Sequence, residues 1–212
     1  MIEEKIERGR TYRDMEVRSV ENENYIVEGY ASTFNDPYLL YRMDGYEVWE
    51  QVDKDSFKDT DMSDVIMQYD HEGRVFARKS NGTLMVTPDE FGLHIRADLS
   101  GTEIGRQLYE EIKGGYTTKM SFGFTVKEDE RNIEENKETG VTKVMRTITE
   151  ISKLYDVSAV SLPANPATSI SSRADGEGVI AEVKEEILKA EEARLAVERK
   201  KARIRILLEV NK

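Results

Sequence analysis

Up to about residue 170, apolar and polar positions alternate in short runs, the period of strands rather than helices. Residues 25–31 predict a strand ending in a loop, and residues 64–69 a mostly buried strand. Residues 74–87 predict a hairpin, with Asn81-Gly82 as the two central residues that tolerate positive φ. In residues 93–99 the apolar side chains fall on odd numbers, which leaves His94, Arg96 and Asp98 on the solvent face. The period then changes. Ile104, Leu108 and Ile112 recur every four residues between a Thr102 cap and a Gly114-Gly115 stop, predicting a short helix. In residues 120–126, Met120, Phe122, Phe124 and Val126 share one face, and Ser121, Gly123 and Thr125 share the other. Residues 127–140 carry 6 acidic and 3 basic side chains and predict a solvated turn. The chain returns through residues 144–151 and 154–162, where Pro163 and Pro166 end the pairing, because proline gives a ladder no N–H. At least six short strands and few helices predict a mainly β protein, an antiparallel β-barrel.

The end of the chain is built differently. Beyond Gly178 there is no Gly, Pro or aromatic residue, a composition that predicts one long C-terminal amphipathic helix. Ile180, Val183, Ile187, Ala190, Val197, Ile204 and Leu208 follow a 3-4 spacing, a stripe expected to pack on a partner. Charge divides the chain at the same place. Residues 173–212 hold 10 basic and 9 acidic side chains, against 21 and 33 in residues 1–172. The expected organisation is therefore a β domain over 1–172 and a charged helical tail over 173–212.

Net charge narrows the partners: at -11 the chain lacks the excess Lys and Arg that nonspecific nucleic-acid binding needs, so no nucleic-acid partner is expected. No cysteine is present, which removes disulfides, Cys-based zinc sites and thiol catalysis and fits a reducing, intracellular setting. Residues 1–7 lack the apolar core of a signal peptide, and no run of roughly 18 apolar residues occurs, so no membrane association is expected.

Two histidines leave a short list of candidates. His94 reads as a surface residue of a polar strand face. His71 stands at a strand end between the apolar run 65–67 and Gly73, where a side chain can be held rigidly beside a cleft, although an incidental position there is the plain alternative. Asp70-His71-Glu72 would be metal ligands only if a tight turn brought alternating side chains together, and no cofactor or metal is expected. Ser121 is the most suggestive serine, a small hydroxyl beside Phe122 and Gly123 on an otherwise apolar strand, with Gly123 leaving room for a substrate, tight packing or a bulge. A serine nucleophile needs an imidazole to take its proton, and the imidazole needs an acceptor on its other nitrogen. Glu150 and Asp156 both interrupt apolar strand sequence and are the candidate acceptors.

Several segments together resemble the prohead (procapsid maturation) serine proteases of tailed phages, the group related to the HK97-type protease. They are Glu28-Gly29-Tyr30-Ala31 with Phe34-Asn35, Gln68-Tyr69-Asp70-His71-Glu72, Lys119-Met120-Ser121-Phe122-Gly123-Phe124, and Ile148-Thr149-Glu150-Ile151 running on to Asn165-Pro166. The resemblance implies a fold similar to the herpesvirus assembly proteases, with Ser121 as nucleophile, His71 as base and Glu150 as third member, Asp156 being the reserve. It leaves the oxyanion hole to backbone N–H groups. It also implies action inside the assembling procapsid in the host cytoplasm, on scaffold or the scaffold-like arm of the major capsid protein, on the protease itself, and with self-association. A non-catalytic capsid-assembly or scaffolding protein of the same fold is the main alternative, and a carboxylate–His metal hydrolase a third.

Overall fold

The computed structural model describes residues 8–21, 23–43, 45–160, 178–189, 192, 193 and 195–200. Its strands are β1 (Arg8–Ser19), β2 (Ile26–Thr33), β3 (Tyr38–Met43), β4 (Tyr46–Val52), β5 (Ile66–Tyr69), β6 (Glu72–Arg78), β7 (Leu84–Pro88), β8 (Gly92–Asp98), β9 (Lys119–Asn136) and β10 (Val141–Val160). Helix α1 is Glu103–Lys113. Residues 178–189 form a second helix, α2. The protein is mainly β, and among the described residues no helix is long and apolar enough to cross a membrane.

The strands pair in the order β3-β4-β10-β9-β1-β2-β8-β7, with β5 on β10 and β6 on β5. That path is open at β3 and β7, so among the described residues the expected barrel does not close. Nor is the sheet purely antiparallel. β10 lies parallel to β4 along Thr142–Ile148 and parallel to β5 along Asp156–Ala159, while β9 holds it antiparallel. Alternation reports which face of a strand is buried, and it is the same for either direction of pairing. Between β4 and β5 the chain fills the gap along β10: Asp53 N donates to Ile148 O, Ile151 N to Ser56 O, and Leu154 N to Asp61 O.

β1 breaks register between Arg13 and Glu16. Its first half pairs with β9 and its last residues with β2, so one strand passes from one half of the sheet to the other. The core lies between the halves. Val27, Leu84, Leu93 and Ile95 from one side meet Met67, Phe122, Ile151 and Leu154 from the other, and α1 adds Leu108, Tyr109 and Ile112 to the same core. Phe122 and Phe124 stack with ring centroids 4.5 Å apart. α1 starts as expected, with Gly105 N donating to Thr102 Oγ1 at 3.0 Å, and stops at Gly114 and the positive-φ Gly115.

Two local expectations are corrected. Residues 74–87 are not a hairpin, because β6 pairs with β5 and β7 with β8. A single turn of 3₁₀ helix, Lys79–Asn81, joins β6 to β7. Gly82 caps it at φ 77°, while the Asn81 backbone does not take positive φ and its side-chain Oδ1 accepts from Thr83 N. The charged stretch 127–140 is mostly strand. β9 and β10 stay paired out to Asn136 and Val141, leaving only a short turn.

α2 lies on this outer ribbon. Val179, Ile180 and Val183 are buried with Leu40, Tyr41, Val48 and Val144, and Ile187 packs beside them. Thus the first part of the stripe assigned to a partner meets the chain's own sheet. Leu188, Leu195 and Val197 are exposed. Ala190, Ile204, Leu208, Pro163, Pro166 and the boundary at 172/173 lie outside the described residues.

Candidate active site

β5 and β6 are joined by two residues, Asp70 and His71, at φ 50° and 59°. Positive φ at both central positions suits a two-residue hairpin but is poor for side chains other than Gly, Asn or Asp, costing roughly 1–2 kcal/mol per residue. The turn is held in place by Asp70 N, which donates to Ala159 O at 2.9 Å, and by the parallel pairing of Tyr69 with Ala159. Such strain is tolerated where the surroundings over-determine it. Its effect is to fold the His71 imidazole back over the sheet, with only 6 % of the residue exposed.

Beneath it, β9 and β10 present four residues in a square. Ser121 is opposite Ser158, and Gly123 is opposite Asp156. Ser121 and Ser158 are fully buried. His71 Nδ1 lies 2.5 Å from Asp156 Oδ1, and His71 Nε2 lies 2.7 Å from Ser121 Oγ. An ionised carboxylate can only accept, which places the imidazole proton on Nδ1 and leaves Nε2 to accept from the Ser121 hydroxyl. Ser158 Oγ donates to the same Asp156 Oδ1 at 2.7 Å.

Gly123 gives this square its room. A Cβ built on it would stand 2.2 Å from Asp156 Oδ2, far inside contact distance. The space that the sequence leaves beside Ser121 is thus taken by the Asp156 carboxylate. Among the described residues no group of three His, Asp or Glu side chains is placed to hold a metal ion. Asp70, His71 and Glu72 therefore do not act together, and His94 sits on the polar face of β8, edge-on to Tyr30 at 5.2 Å.

Of the expected residues, the structure brings His71 and Ser121 together and leaves Glu150 apart. Glu150 stands six residues before Asp156 on β10, about 20 Å along an extended strand. Its carboxylate is 2.5 Å from Lys127 Nζ, and this contact holds the Lys127 pKa above its ordinary value. The acceptor on His71 is the reserve candidate, Asp156. The reason for the exchange is visible in β10. Four register shifts between Ile148 and Asp156 make Ile148, Ile151, Leu154 and Val157 the buried apolar residues, three apart instead of two. Each bulge reverses the parity of the residues beyond it, so counting alternate positions cannot sort Glu150 from Asp156. Ser158 is a site residue that sequence reasoning misses, although it shares a face with Asp156 at two residues' spacing.

A hydroxyl, an imidazole and a carboxylate joined in one hydrogen-bonded line form the arrangement by which serine hydrolases activate their nucleophile. The sequence agrees at the level of family. The model of the Caudovirus prohead serine protease family matches residues 13–182, a span that includes His71, Ser121 and Asp156, and the chain belongs to that family. Membership makes it a serine peptidase of the capsid-maturation kind. No curated protein and no solved structure matches the chain.

Proposed function

We propose that this chain is a serine endopeptidase of phage prohead maturation in which Ser121 is the nucleophile, His71 the general base and Asp156, rather than Glu150, the residue that orients the base. The observation that carries this reading is the continuous line from Ser121 Oγ through His71 to Asp156 Oδ1, at 2.7 and 2.5 Å. In the acylation step Ser121 Oγ attacks the scissile carbonyl carbon as its proton passes to His71 Nε2. Asp156 stabilises the imidazolium that forms. The imidazolium then gives the proton to the leaving amine as the C–N bond breaks, and an acyl ester remains on Ser121. Water, deprotonated by His71, hydrolyses the ester and returns the serine.

The substrates that fit are scaffold or the scaffold-like arm of the major capsid protein, and the protease itself, inside the assembling procapsid. Family membership supports that class of target. The test is the intact mass of wild type and Ser121→Ala, each expressed alone and with the capsid protein. Defined cleavage by wild type alone, unaffected by a chelator, is the expected result. If both samples stay uncut in assembled proheads, the non-catalytic scaffolding reading replaces this one, and loss of cleavage on chelation would favour a metal hydrolase.

A further inference from the structure

The hydrogen bond from Ser158 to Asp156 is not needed to hold β10 in the sheet, since backbone pairing to β5 and β9 does that. What it fixes is the rotation of a carboxylate. Asp156 can turn about its terminal torsion and offer either oxygen, or neither, to the imidazole. Two constraints select one orientation. The missing Cβ of Gly123 gives Oδ2 the room it needs on one side, and the Ser158 hydroxyl pins Oδ1 on the other, at 2.7 Å. Oδ1 is the oxygen that meets His71 Nδ1. Ser158 is fully buried and stands directly opposite Ser121 in the ladder, so its hydroxyl is shielded from water.

We propose that Ser158 is a positioning residue of the active site: its hydroxyl locks the Asp156 carboxylate so that Oδ1 faces His71, and thereby sets the tautomer and ring angle of the base. The inference rests on the triad reading above. It does not make Ser158 a group that touches substrate.

The experiment compares wild type, Ser158→Ala and Ser158→Thr in the full chain, measuring cleavage of the capsid-protein arm and the low-field proton NMR signal of the His71 Nδ1–H. With Ser158→Ala, kcat is expected to fall about 10- to 100-fold, the range carried by a hydrogen bond to a charged group, with KM little changed. The low-field signal broadens or disappears, and Ser158→Thr, which keeps the hydroxyl, restores the signal and most of the rate. A Ser158→Ala protein with kcat within about twofold of wild type and an unmoved signal would overturn the proposal. If wild type shows no Ser121-dependent cleavage, the protease reading fails. The role of Ser158 is then decided by the NMR signal alone, which requires the bond and not turnover.

Discussion

Strands β9 and β10 run side by side for most of their length, yet their two ends are built for opposite purposes. At the inner end, Met120–Phe124 and Val157–Val160 are buried on both faces, and the polar groups of Ser121 and Ser158 sit with the partly covered Asp156 in a compact set of hydrogen bonds. At the outer end the same ribbon is studded with charge. Even there one row turns inward: Val144, Arg146 and Ile148 are all buried, and Arg146 is satisfied by Glu50 at 3.1 Å and Asp129 at 2.7 Å. Arg131 shares Asp129 and reaches Glu182 of α2. Buried polarity therefore has two uses along one ribbon. Inside, it lines up a hydroxyl, an imidazole and a carboxylate; outside, it fastens a helix to a sheet.

The comparison breaks most sharply if the inner carboxylate is replaced. Asp156→Asn cannot hold the Nδ1-protonated tautomer as a carboxylate does, and kcat is expected to fall about 10⁴-fold, the loss that the same change causes in a Ser-His-Asp protease. Glu150→Gln, on the same strand, is expected to change cleavage by less than about twofold, because an exposed pair with Lys127 contributes little. Reversed magnitudes would restore Glu150 as third member. Next comes Gly123→Ala, whose methyl meets Asp156 Oδ2 and must push the carboxylate off His71. A loss of about 100-fold or more in kcat with an unchanged far-UV spectrum is expected, since a displacement near 1 Å carries that cost.

These inner residues are partly legible in the sequence. Ser121 announces itself as a hydroxyl in an apolar strand, and His71 as a strand-end imidazole. Thr102 and Gly115 mark α1 by capping chemistry, which is local and survives any tertiary arrangement. The illegible part depends on geometry between strands. The bulges of β10 hide the parity of Glu150 and Asp156, and the weak alternation of β1, β3 and β4 gives no strand signal. Charge density likewise conceals strand in residues 127–136, because the row that meets α2 mixes the paired charges of Asp129 and Arg131 with Ile133, and such a ribbon needs no apolar period.

The outer end is tested by stability. Arg146→Ala leaves Glu50, which is 2 % exposed, without its cation. Breaking a buried pair in this way is expected to cost about 3–5 kcal/mol of unfolding free energy in a denaturant titration, while cleavage per folded molecule stays near wild type. Val183→Ala on α2, fully buried against the ribbon, should cost less, about 2 kcal/mol from two lost methyl groups and the space they leave. If Val183→Ala is silent, α2 does not rest on the sheet in solution, and the tail is free for a partner as the apolar stripe suggests.

The smallest effect sets an exposed pair against the buried one. Asp64 and Arg78 form a two-pronged ion pair at the base of the hairpin that carries His71, with Nε 2.9 Å from Oδ1, and the Arg78 guanidinium lowers the Asp64 pKa to about 2. A depressed folded-state pKa contributes stability at pH values above the unfolded pKa, and that contribution is lost as pH falls towards the folded value. Wild type should therefore unfold at a slightly higher temperature than Asp64→Asn at pH 7, with the gap shrinking between about pH 4 and pH 2. Added salt should narrow the gap as well, since both partners are solvated, whereas the deficit of Arg146→Ala should persist at high salt because its pair is shielded from ions. A gap that ignored both pH and salt would mean that Asp64 supports the hairpin through packing instead of charge.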